Sequence, residues 1–338
     1  MISIVLLSLL QPITGALADR YGYLKMVVIG GVLGGVSSLA CLFIYSWQQL
    51  FTLRAVSGVA DAIAGPAILA IAASLSSERR GFVFGVFRSS QGLSFVVGPI
   101  VGVVIAKLFW LRAPFLFDFI LTLVAIGLFV LFLRSVSVKG HGEAFSLEGL
   151  KWVIKNRELM KIAYIGFSEG FSFAIWCSFL PAYMLVLGMR EAEIGLVLSV
   201  EALSFTIANA IVGYLSDILG RKPIAVIGAT LATVASFAYL MVDELLLILL
   251  TSIVYGVECA MIFLMSTVMA VDRMPESRRA SMLGAFDAIM DLGLALGPIM
   301  SWGVLNLFQL PLTVVFPIMG VATLLALASS ISIGAVSY

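Results

Sequence analysis

Apolar runs separated by short charged breaks account for nearly the whole chain. They lie at about 1–18, 26–46, 50–73, 82–107, 113–134, 159–187, 191–214, 222–242, 244–270, 282–307 and 311–334. A helix needs about 20 mainly apolar residues to cross the hydrocarbon core of a bilayer, so the pattern predicts eleven transmembrane helices. One segment follows a different rhythm. In FSLEGLKWVIKNRELMKI (Phe145 to Ile162), Leu147, Leu150, Trp152, Val153 and Ile154 alternate with charges. That spacing predicts an amphipathic helix lying along a membrane surface. The polar stretch before it, Ser135 to Ala144, marks a boundary. The expected organisation is a five-helix bundle over 1–134, a linker with a surface helix over 135–158, and a six-helix bundle over 159–338.

The two bundles are copies of one another. GALADRYGYLK (Gly15 to Lys25) recurs as GYLSDILGRKP (Gly213 to Pro223), with Gly15, Leu17, Asp19 and Gly22 matching Gly213, Leu215, Asp217 and Gly220 at an offset of 198. A second pair, Arg79 to Pro99 and Arg278 to Pro298, matches at an offset of 199 and pairs Gly85 with Gly284, Gly98 with Gly297 and Pro99 with Pro298. The matched loops fall on the same side of the membrane, so the repeats are parallel, an arrangement typical of transporters that hold substrate at the repeat interface. The run at 159–187 has no mate in the first half, and Met1 aligns with Ser199, inside its helix. The expectation is that the sequence begins late relative to a twelve-helix pattern.

Composition agrees with lipid as the main solvent: 62% of residues are hydrophobic and 12% charged, where a soluble domain carries about 25% charged. Fifteen of the twenty basic residues fall in one set of alternate loops, which the positive-inside rule assigns to the cytoplasm. The expected location is therefore the plasma or inner membrane. The net charge of +1 gives no basis for a nucleic-acid partner. Cys41, Cys177 and Cys259 sit in separate apolar runs without CxxC spacing and read as small core residues, and the single histidine, His141, lies in a polar loop. No metal site, cofactor or phosphate-binding loop is expected, and no clustered surface motif suggests an enzyme.

The repeated turns resemble the signature loop G-x-L-x-D-R-x-G-R/K-R/K of the major facilitator superfamily of secondary transporters. GLSFVVGPIVG (Gly92 to Gly102) resembles its antiporter element on the fifth helix, and RAVSGVADAIAGP (Arg54 to Pro66) its fourth-helix R-x-x-Q-G element. Two departures matter: Tyr23 and Leu24 stand where the family has basic residues, and Ile218 replaces the arginine after the second aspartate. The resemblance implies an all-α polytopic fold of two parallel-related bundles. It also implies a cytoplasmic gate in which Asp19 docks near the start of the helix at 282 and Asp217 near the start of the helix at 82. Gly15, Arg20, Gly22, Gly213, Gly220 and Arg221 belong to these turns. Arg88 and Asp287 occupy matched positions inside the docked helices, and the expected pairs are Arg88 with Asp217 and Asp287 with Arg20. Gly98, Pro99 and Gly102, with Gly297 and Pro298, are expected to pack helices closely and to bend them.

Ionisable residues within a span are costly and are functional candidates by default. Those near mid-depth are Asp61, Glu169, Glu201, Glu258 and Asp291. Arg54, Gly58 and Asp61 share one helical face, with Arg54 and Asp61 about 10 Å apart along the axis. The resemblance matches Arg54 to an arginine implicated in proton coupling. Asp61 is the first choice for a proton site, Glu258 is nearly its repeat mate, and Glu201, Glu169 and Asp291 are candidates for cation binding or coupling. Phe167, Phe171, Phe173, Trp176, Phe179 and the methionines of 261–274 are either the lining of an apolar cavity or ordinary packing. The leading reading is a monomeric, proton-coupled exporter of lipophilic or cationic compounds, in the manner of drug/proton antiporters. The alternatives are a symporter importing a small metabolite and a non-transporting sensor built on the same fold.

Overall fold

The computed structural model describes residues 2–76, 78–133 and 148–334. The polar linker read at 135–144, with Lys139 and His141, lies outside them. The described residues form α1 (Ile2–Tyr21), α2 (Tyr23–Ala40), α3 (Trp47–Leu75), α4 (Arg80–Leu108), α5 (Ala113–Leu133), α6 (Glu148–Lys155), α7 (Arg157–Val186), α8 (Glu191–Leu219), α9 (Arg221–Ala238), α10 (Leu245–Val271), α11 (Arg279–Phe308) and α12 (Val315–Ser332). Every predicted span coincides with one long helix, and the amphipathic segment supplies α6, shorter than the charged pattern suggested. Among the described residues, nine of the eleven long helices, α1 and α9 being the others, are long and apolar enough to cross a membrane. Helix α9 opens on Arg221 and Lys222, which lower its apolar content.

The breaks follow from local chemistry. Gly22 separates α1 from α2 at φ 98 and ψ 140, and Gly220 separates α8 from α9 at φ 89 and ψ 160. Both lie in or beside a region of backbone space that is essentially open to glycine alone. Asn156 caps α7 by accepting from the N–H groups of Glu158 and Leu159 at 3.0 and 3.2 Å.

Two contact units result. The first comprises Met1–Leu75, Val97–Lys155 and Arg273–Ala288, and the second Ser76–Val96, Asn156–Asp272 and Ile289–Tyr338. They differ from the sequence halves in two places, because the start of α4 belongs to the second unit and the start of α11 to the first. In the first unit α3 packs on α1 and α2, and α5 packs on α2. Its core joins Ala18, Tyr23, Met26, Val27, Ala67, Ala70 and Ile71 to Ala280. In the second unit α10 packs on α8 and α9, and α12 packs on α9. The duplicated sequence therefore produces duplicated packing. The difference is α7, which packs on α10 and α12 and contributes Phe171, Ile175, Trp176 and Leu180 to an aromatic-rich core with Tyr239, Tyr255 and Phe316. By contrast, none of the most apolar stretch of α5 is buried, as suits a lipid-facing helix.

Because both turns hold a glycine-only conformation, Gly22→Ala and Gly220→Ala are each expected to cost about 1–3 kcal/mol. Thermal unfolding of the purified chain in detergent checks this; unchanged melting in both variants would show that the turns relax without strain.

Candidate functional site

Asp19 lies in the last turns of α1 and is buried. Its carboxylate accepts from the backbone N–H groups of Ala280 at 3.1 Å and Ser281 at 2.8 Å, the opening residues of α11. The first N–H groups of a helix have no partner of their own, and the helix dipole favours a negative charge there. Tyr23 completes the site by donating its hydroxyl to Asp19 Oδ1 at 3.0 Å. The approach depends on small residues: a Cβ at Gly15 would overlap the Ala280 carbonyl, and one at Gly284 the Gln11 carbonyl.

The second copy repeats the arrangement. Asp217, near the end of α8, accepts from the N–H groups of Gly81 at 3.0 Å and Phe82 at 2.8 Å, at the start of α4. Gly213 and Gly81 lie backbone against backbone. Here, however, the supporting donor is a cation. Arg221, whose repeat mate is Tyr23, pairs with Asp217 at 2.6 Å and with Asp272 at 3.4 Å, and Asp272 also pairs with Arg80 at 3.0 Å. The basic residue missing from the first turn is thus replaced by a neutral phenol. Asp217 takes Arg221 as an ionic partner, a pair that the sequence reading did not name. Arg88 donates to Gln91 at 3.0 Å and Thr267 at 3.4 Å. Arg20 stands over the Tyr21 ring, 5.2 Å from its centroid, and Asp287 is partly buried on α11.

The packing motif on α4 behaves differently from its mate. A Cβ at Gly98 or Gly102 would meet nothing within 4 Å, so the close helix contact expected there is not made. Gly297 does make it, against the Phe171 carbonyl of α7. No helix among the described residues of the first half matches α7, which is why only one copy of the motif has a neighbour. Pro99 and Pro298 both lie within unbroken helices.

At mid-helix, Asp61 and Arg54 are both exposed on α3, and the Arg54 carbonyl accepts from Ser3 at 2.8 Å. Nearer the end of α5, Asp118 accepts from Ser38. Glu169 on α7 and Glu258 on α10 are fully buried, with Glu201 of α8 at 5% exposure. Cys259 joins them: its thiol donates to Glu169 Oε1 at 2.8 Å and lies 3.9 Å from Glu258 Oε1. Asp291 is partly buried on α11. Cys259 is the core residue that the sequence reading expected, and its contact with Glu169, 90 positions away, was not visible there. The aromatic residues divide. Trp176 is a core residue, stacked on Tyr255 at 5.2 Å and donating to Tyr239 at 2.8 Å, whereas Phe167, Phe173 and Phe179 are only partly buried.

A family model described as Major Facilitator Superfamily matches residues 1–192 and 162–334. The chain belongs to the major facilitator superfamily. It is a multi-pass membrane transporter and not an enzyme, and the two overlapping matches agree with its duplicated packing. An uncharacterised superfamily transporter of Methanocaldococcus jannaschii, MJ1560, is 23% identical over 332 residues, covering 96% of this chain and 83% of the relative. The quinolone resistance protein NorA of Staphylococcus aureus is 31% identical over 119 residues, 35% of this chain and 31% of NorA. The methyl viologen resistance protein SmvA of Salmonella typhimurium is 31% identical over 128 residues, 37% of this chain and 26% of SmvA. Among solved structures, the human organic anion transporter MFSD10 superposes with a TM-score of 0.79 at 17% identity, covering 97% of this chain and 82% of that one. The proton:xylose symporter XylE gives 0.78 at 16%, covering 97% and 83%. These two likenesses concern the fold.

The two aspartate sites differ in what their loss should cost. Arg221→Ala removes the cation shared by Asp217 and Asp272 and is expected to cost about 3 kcal/mol. Tyr23→Phe removes one hydrogen bond to a carboxylate and is expected to cost about 1.5 kcal/mol. Unfolding in detergent compares them, and equal losses would mean that both turns are held alike.

Proposed function

We propose that this superfamily member is a proton-coupled exporter of lipophilic or cationic compounds, working by alternating access of the sequence halves 1–134 and 159–338. The observation that carries the reading is the repeated carboxylate contact. Asp19 in the first half holds the start of α11 in the second, and Asp217 in the second holds the start of α4 in the first. Each contact must break for the two halves to part at that end, and both must re-form for it to close. With basic loops cytoplasmic, this end is the cytoplasmic gate.

The balance of charge within the helices favours cations. Five acids, Asp61, Glu169, Glu201, Glu258 and Asp291, stand against Arg54 alone near mid-depth. The likeness to NorA and SmvA, proteins of resistance to quinolones and to methyl viologen, supports export of such compounds. Asp61 is the group assigned to the proton. It is exposed on the α3 face shared with Gly58 and Arg54, where alternate opening changes its contact with water.

Efflux of a lipophilic cation from cells or proteoliposomes tests the proposal. Extrusion is expected to collapse with a protonophore and to lose its response to the proton gradient in Asp61→Asn, while that variant still binds the cation. Gradient-driven accumulation would replace efflux by symport, and the absence of any flux alongside intact binding would favour a sensor.

A further inference from the structure

Glu169, Glu258 and Cys259 form a donor set that no gate or fold requirement explains. One ligand atom from each lies within 4.8 Å of the others, and all three residues are fully buried. They come from two helices, α7 and α10, which pack directly on one another in the second unit. Two further observations concern unused polar atoms. The second carboxyl oxygens of Glu169 and Glu258 accept from no donor, and the two carboxyls lie within hydrogen-bond reach of each other. No hydrogen-bond partner meets the hydroxyl of Tyr255, a fully buried residue one turn before Cys259 on α10, whose electrostatic neighbours are Cys259, Glu169 and Glu258. A phenol inside a bundle ordinarily finds a partner, and orphaned polar atoms in a low-dielectric interior are costly. Oxygens without a donor on two adjacent carboxyls, beside a thiol, are the atoms that a shared ligand would take.

We infer that Glu169, Glu258 and Cys259 bind one soft divalent metal ion of the zinc or cadmium type. Two carboxylates and a thiol supply the mixed oxygen and sulfur donors that suit such ions. Magnesium and calcium instead require cages of six or more oxygens. Metal–oxygen and metal–sulfur bonds of about 2.0–2.3 Å are reached from the present positions by small side-chain rotations. The Cys259 thiol, which now donates to Glu169, loses that proton to bulk water as the ion enters and turns its sulfur to the metal. The Tyr255 hydroxyl then has a partner, either the ion or a water that the ion holds. A dication also supplies the positive charge that two adjacent buried carboxylates need. Glu201, an electrostatic neighbour of both Glu169 and Cys259, adds further negative potential.

The inference is independent of the efflux reading, because binding is measured without a gradient and its failure leaves that reading standing. The experiment uses the full chain in lipid nanodiscs with Cys41→Ser and Cys177→Ser, so that Cys259 is the sole thiol. Titration with Cd2+ is expected to give a thiolate-to-cadmium absorption band that saturates at one ion per chain. Zn2+ should displace the band and Mg2+ should not. Glu169→Gln and Glu258→Gln should each weaken binding by about tenfold or more. In the unmutated chain Zn2+ should raise the melting temperature, a readout that does not depend on any variant folding. Absence of both the band and the melting shift overturns the inference. So does Zn2+ binding that Cys259→Ser leaves unchanged, or displacement of cadmium by Mg2+.

Discussion

A carboxylate placed on the bare N-terminus of a helix is the contact on which the rest of this structure depends. Asp19 and Asp217 each satisfy two N–H groups that the helix cannot satisfy for itself. The same bonds carry the first turns of α4 and α11 away from the sequence halves that encode them, which is why the contact units cross the sequence boundary. Glycine is what permits it. At Gly15, Gly81, Gly213 and Gly284 the helices approach so closely that any side chain would meet a backbone atom. The aspartates alone would not reach their partners if the helices were held a methyl group further apart.

Duplication has preserved this geometry while changing its chemistry. Arg221 ties Asp217 to Asp272 and, through Asp272, to Arg80, a chain of four mostly buried charges. Tyr23 gives Asp19 a single neutral donor. A charged network gains strength only while all its members are placed together, since each unpaired charge is expensive away from water. A phenol hydrogen bond is weaker but leaves less behind when it breaks. The two turns therefore need not release at the same cost, even though their backbones are superficially alike. Duplication thus yields two contacts of one geometry and different strength.

Much of this was legible in the chain itself. Helix positions followed from run length, because lipid demands long uninterrupted apolar segments and the charged breaks mark their ends. The docking of Asp19 and Asp217 near the starts of α11 and α4 was anticipated from the repeat and its family resemblance. Side-chain partners were harder. Arg221, four residues from Asp217 on the same turn, pairs with that aspartate, a contact that the sequence reading did not name. Tyr23 read as a lost basic residue, because nothing in a pattern of charges reveals that a phenol can take the same place. Cys259 was invisible as a donor, since its meaning lies in α7, far away in sequence.

That last case shows where the two halves differ most. Among the described residues no helix of the first half matches α7, and most features that break the symmetry touch it. It supplies Glu169 to the buried donor set and Trp176 to the aromatic core. Its backbone receives Gly293 and Gly297, whereas Gly98, the mate of Gly297, meets nothing. It also covers α12, whose mate α5 presents its apolar stretch unburied. Packing by α7 does more than complete a bundle. By closing over α10 it removes water from Glu258 and Cys259, turning side chains that an open groove would leave hydrated into a dry, unbalanced cluster. The repeated helices build the frame, and the packing of α7 on α10 places Glu169 beside Glu258 and Cys259.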